Sequence, residues 1–181
     1  NKGFSLEDLE NTDPKLIKEM RDYYFNQIEN YKKNKNKKIT IDKMPLNLVH
    51  VGEILRFFPN AKFILALRHP YDCVLSCFMQ NFMLNHAMAN FLNLDDTLKL
   101  YDLTMSLWKK YTNVFKIDHH LIRYEDVVSN FKKTIGDLLK FLNVKWSDNV
   151  SEFYKTAEKR GIINTPSYNP VSYTHLRSPR D

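Results

Sequence analysis

The chain has 181 residues, 43% hydrophobic and 13% aromatic, which is enough for one domain with its own core and too apolar for wholesale disorder. It contains no run of about 18 uninterrupted apolar residues, so no membrane span is expected, and its polar start "NKGFSLEDLE" lacks the apolar centre of a signal peptide. A formal net charge of +6 points to an anionic partner, whether nucleic acid, membrane surface or phosphorylated small molecule, without choosing among them.

Taken in chain order, "SLEDLE" and "DPKLIKEMRDYYFNQIENYKK" predict helix, with Asp13 as the cap and Pro14 in the first position. Leu16, Met20, Tyr24 and Ile28 recur every four residues and predict its apolar face. The run "KKNKNKK" at 32–38 carries the densest positive charge. No aromatic residue interleaves its lysines, so it reads as a solvated linker rather than a base-stacking surface. "KITID" alternates Ile39 and Ile41 and predicts a short strand, stopped by Pro45. "LNLVHVGEILRFF" then has helical spacing.

"AKFILALR" is a continuous apolar run bounded by turn signals, the pattern of a strand buried on both faces of a parallel sheet. A helix is predicted over 70–84, opening at Pro70. Asp95 and Asp96 start another, through Tyr101, Met105 and Trp108. "HHLIRYEDV" predicts a third strand, "FKKTIGDLLKFLNV" a helix with Phe131, Ile135, Leu138 and Leu142 on one face, and "SDNVSEFYKTAEKR" a last helix. Strands alternating with helices imply an α/β fold, a parallel sheet covered by helices.

Ligands of such sheets bind beyond the carboxyl ends of the strands. Here the three predicted strands end in polar groups: Lys43, Arg68, and Tyr124 with Glu125. At the second, a helix start offers unpaired amides and a positive dipole end. Arg68 adds a donor fork matched to phosphate oxygens, and Ser76 stands two turns into the helix. Together they form a candidate phosphate site. The alternative is an ordinary ion pair of Arg68 with Asp72 or Asp42. His69, Cys73 and Cys77 share a helical stripe and raise a metal site as a second possibility, but no further ligand cluster supports it. Two small thiols packed on a sheet are the preferred reading of the pair, and neither a disulfide nor a metal is expected.

"IDKMPLNLVHVGEILRFFPNAKFILALRHPYDCVLSCFMQNF" and "LIRYEDVVSNFKKTIGDLLKFLNVKW" resemble the sulfotransferases that use 3′-phosphoadenosine 5′-phosphosulfate (PAPS). The likeness is greatest to the branch of protein-tyrosine sulfotransferases and bacterial sulfotransferases with tetratricopeptide repeats, and it covers roughly residues 5–169. The resemblance implies a P-loop-like α/β domain. It also implies that Arg68 and Ser76 grip the 3′-phosphate, that Tyr124 lies near the adenine, and that Lys43 contacts the transferring sulfuryl group. Ser167 in "TPSYN" would lie near the cofactor phosphates. The reaction implied is sulfuryl transfer to a hydroxyl acceptor (protein tyrosine, sugar or small alcohol), with no metal and with adenosine 3′,5′-bisphosphate as product.

Family members open with a strand and a "PRSGTT"-like loop around the 5′-phosphosulfate, which this chain lacks. The catalytic base follows that loop, so none is assigned to His50, His69 or His86. Residues 170–181, "PVSYTHLRSPRD", leave the family pattern and resemble translated sequencing-adapter read-through. The expectation is therefore a partial sulfotransferase domain over 1–169, cut at both ends, starting inside a longer protein and inactive alone. Upstream tetratricopeptide repeats are compatible with this, and the few cysteines favour a cytoplasmic member. A nucleotide kinase would need a Walker loop, absent here, and a nucleic-acid module would show steep salt dependence.

Overall fold

The computed structural model describes residues 11–31 and 39–152. The stretch "SLEDLE", the lysine-rich run at 32–38, Ser167, the tail at 170–181 and most of the last predicted helix lie outside the described residues. The chain divides into two compact units, Asn1–Ala61 with Thr104–Asp118, and Lys62–Leu103 with His119–Asp181.

In the first unit, helix α1 (Pro14–Tyr31) starts as its cap residue predicts. Asp13 accepts the Lys15 amide through Oδ1 at 2.8 Å and the Ile17 amide through its carbonyl at 3.0 Å. Its inward stripe differs from the expected one. Ile17 is buried with Arg21, Tyr24 and Ile28 half-covered behind it, while Leu16 and Met20 are exposed. Arg21 holds a place in that stripe because its Nε donates to Phe57 O at 2.7 Å, the end of helix α2 (Val51–Phe57), which α1 packs against. Tyr24, Phe25 and Phe58 close the contact with ring centroids 5.1–5.7 Å apart. Gly52 permits a second tie: a Cβ there would meet the Tyr111 ring at 3.1 Å, and Tyr111 Oη donates to Val49 O at 3.0 Å.

The predicted strand at "KITID" does not form. Residues 39–44 carry no regular secondary structure, with Ile39 49% and Ile41 71% exposed, because alternation supplies a face but not a neighbour to hydrogen-bond to. Among the described residues the sheet has two strands, β1 (Phe63–Leu67) and β2 (His119–Arg123), both in the second unit. They pair in parallel from Phe63 opposite His119 to Leu67 opposite Arg123. Within β1 only Leu65 is buried, against the expectation of a doubly covered strand.

Helix α3 (Pro70–Met79) follows β1 and ends at Gln80, short of the predicted 84, where the backbone turns extended. Helix α4 (Leu94–Val114) starts on the Asn93 side chain, which accepts the Asp96 amide at 2.8 Å. The buried Thr97 hydroxyl bonds back to Asn93 O at 2.7 Å. After β2 come α5 (Tyr124–Ser129) and α6 (Phe131–Phe141), the latter capped by Asn130 and ended by Asn143 at a φ of 55°. Tyr124 and Glu125 thus open a helix rather than close a strand. Among the described residues the fold is mixed α/β with a parallel strand pair, consistent with the expected α/β domain.

Candidate functional site

The parallel register decides what meets at the carboxyl end of the sheet. Because Leu67 stands opposite Arg123, the next residues emerge side by side. The Arg68 guanidinium carbon lies 5.4 Å from the centroid of the Tyr124 ring. One step further, the His69 amide donates to Glu125 Oε1 at 2.8 Å. Pro70, at the first helical position, has no amide to satisfy, and the His69 carbonyl receives the Cys73 amide at 3.0 Å.

Arg68 is exposed and forms no ion pair among the described residues. The alternative of a pairing with Asp72 does not occur, and Asp42 Oδ2 receives Tyr24 Oη at 2.7 Å. A guanidinium held on an aromatic face with its donor fork unmatched can take an anion. Part of the expected helix-start site is already filled, since the Glu125 carboxylate occupies the His69 amide. Ser76 is half-buried on the second turn of α3.

Glu125 carries the clearest electrostatic signature. Hydrogen bonds from its own amide and from the His69 amide, with the charges of Arg123 and His69 adding, hold its carboxyl below the usual carboxylate range despite some burial. Its Oε2 is buried with no hydrogen-bond partner among the described residues. On α3 the Cys77 thiol donates to Cys73, and with help from the Arg68 charge this pulls the Cys73 thiol down to about 7 against the opposing effect of burial. Burial pushes Tyr101 up, and the Cys73 charge adds to it. Among the described residues no three His, Cys, Asp or Glu side chains are placed to hold a metal ion.

The structure therefore brings Arg68 and Tyr124 together, sets Ser76 on the adjoining helix, and adds Glu125 and Cys73. Lys43 belongs to the first unit, exposed in the irregular stretch between Asp42 and Met44. It pairs with no carboxylate among the described residues. Sequence reasoning named Glu125 only as a strand-end polar group. An acid at the second position of a helix was its sole local signal.

No helix among the described residues is long and apolar enough to cross a membrane. An uncharacterized protein of Aquifex aeolicus (strain VF5) is 30% identical over 148 residues, covering 80% of this chain and 19% of that protein. The chain thus spans about a fifth of the relative's length. The family model described as "Sulfotransferase family" matches residues 4–148, a range that holds Lys43, Arg68, Ser76 and Tyr124 and stops before Ser167. Matched over most of its length, the chain belongs to the sulfotransferase family.

Proposed function

We propose that this chain contributes the 3′-phosphate and adenine side of the donor site in a PAPS-dependent sulfotransferase. The observation that carries the reading is Arg68, fixed over the Tyr124 ring at the carboxyl end of β1 and without a carboxylate partner among the described residues. That donor set fits a phosphate beside a purine. Arg68 holds the phosphate oxygens through two parallel N–H bonds, and Ser76 adds a hydroxyl from α3. Tyr124, against whose ring Arg68 lies, is assigned to the adenine.

The bound donor supplies an activated sulfuryl group, and transfer to the acceptor oxygen leaves negative charge on the departing phosphate. Lys43 is the ammonium assigned to that charge. Ser167 is assigned to the cofactor phosphates. The acceptor is a hydroxyl of protein tyrosine, sugar or small alcohol, taken up by the longer protein of which this domain is a part, with upstream tetratricopeptide repeats and a cytoplasmic setting as further parts of the proposal.

A thermal-shift panel tests the assignment. Adenosine 3′,5′-bisphosphate is expected to stabilise the chain, while 5′-AMP and ADP with Mg²⁺ do so far less. A preference for ADP with Mg²⁺ would move the reading to a nucleotide kinase. Indifference to the nucleotide with a steep loss of affinity in salt would move it to a nucleic-acid module.

A further inference from the structure

A helix start is ordinarily capped by the side chain of the residue that precedes it. At α3 that residue is His69, and its side chain makes no cap bond. The cap comes from Glu125, 56 residues away in sequence and on the other side of the strand pair. One carboxylate thus serves two helix starts, its own α5 and that of α3. The arrangement uses Oε1 for the tie and leaves Glu125 Oε2 buried without a hydrogen-bond partner among the described residues. A Ser, Thr, Asp or Asn at position 69 would cap this start locally. What the long-range cap adds is a fixed relation between two turns, the one carrying Arg68 and the one carrying Tyr124.

We infer that Glu125 is a positioning residue for the 3′-phosphate site, tying the His69 amide to the start of α5 so that Arg68 is held over the Tyr124 ring before ligand arrives. This inference rests on the donor-site reading above. An arginine side chain free to rotate loses its conformational freedom when it grips phosphate. A tied turn has lost part of it already, and affinity for the 3′-phosphate rises accordingly. The 5′-phosphate, gripped elsewhere, gains nothing from the tie.

The test uses the chain with Glu125→Ala and Glu125→Gln, titrated with adenosine 3′,5′-bisphosphate and with 5′-AMP, alongside melting temperature and amide exchange at His69. The Gln amide oxygen can still accept the His69 amide, so E125Q is expected to keep the 3′-phosphate preference within about twofold. E125A is expected to lose about tenfold of that preference, with 5′-AMP affinity unchanged and His69 exchange accelerated. A preference untouched in E125A overturns the inference, whether or not His69 exchange quickens. So does an equal loss for both nucleotides together with a lower melting temperature, which is a purely structural role. An E125Q that behaves as E125A overturns it as well, because charge rather than the tie would then matter. A wild-type chain without 3′-phosphate preference fails the donor-site reading and takes this inference with it. A wild-type preference that survives in E125A fails the inference alone.

Discussion

The two ends of the strand pair carry the same device and use it differently. At the amino end, Lys62 sits 4.6 Å over the Phe141 ring, and its ammonium also donates to Phe141 O at 2.5 Å, closing the end of α6. His120 stacks on the same ring at 5.4 Å. At the carboxyl end, Arg68 sits over Tyr124 at 5.4 Å, but its donors meet no carboxylate among the described residues. Both cations lie against an aromatic face next to a strand. One is spent on a helix carbonyl, which is a structural use. The other has its fork unmatched by a carboxylate at the end of the sheet where parallel sheets bind ligands, which supports the proposed site.

Four changes break or sharpen that contrast. The largest effect is expected away from the sheet. Replacing Lys43 by Ala in the longer protein should lower the rate of sulfuryl transfer about 10²–10³-fold, read in single-turnover assays, while nucleotide affinity changes little. Next comes the thiol behind Arg68. Cys73 alkylation should titrate near pH 7 in the native chain, and Cys77→Ala should move that midpoint up towards the ordinary value of 9.0, slowing alkylation at neutral pH about tenfold. Removing the donor that stabilises the thiolate raises the pKa, so an unmoved midpoint would count against the contact.

Ser76→Ala should weaken adenosine 3′,5′-bisphosphate about fivefold by calorimetry, the worth of one hydrogen bond, without touching stability. The smallest effect lies in the first unit. Tyr24 is pushed up to about 12, by burial first and by its bond to Asp42 second. A raised folded pKa gives stability that is present below the unfolded value of 10.0 and is lost as pH rises through about 12. The wild-type advantage over Tyr24→Phe, about 1 kcal/mol at neutral pH, should therefore fade between those values in urea melts.

How much of this was legible in the sequence can be seen residue by residue. The Arg68 turn was legible, because an apolar run, a proline and a helical stripe announce strand, corner and helix without reference to the rest of the chain. The strand at "KITID" was misread for the converse reason: Ile39 and Ile41 alternate correctly, yet a strand exists only with a partner, which alternation does not reveal. Arg21 was passed over in the α1 stripe because a charged residue does not look buried until the carbonyl it caps is known. Tyr124 and Glu125 were placed at the end of a strand because "IRYEDV" contains no breaker between strand and helix. The Glu125–His69 bond joins positions 56 apart, and nothing local in either stretch foretells it.

The measurement that bears most directly on the contrast between the two cations is calorimetric titration of adenosine 3′,5′-bisphosphate into the native chain, Arg68→Ala and Lys62→Ala, with 5′-AMP as the control. Arg68→Ala is expected to lose about 10–10² in affinity for the bisphosphate and nothing for 5′-AMP, with its melting temperature kept. Lys62→Ala is expected to bind normally and to be less stable by about 0.5–1 kcal/mol. Equal binding by native chain and Arg68→Ala, or a loss shared by Lys62→Ala, would contradict the claim that the carboxyl end of this strand pair is the 3′-phosphate site.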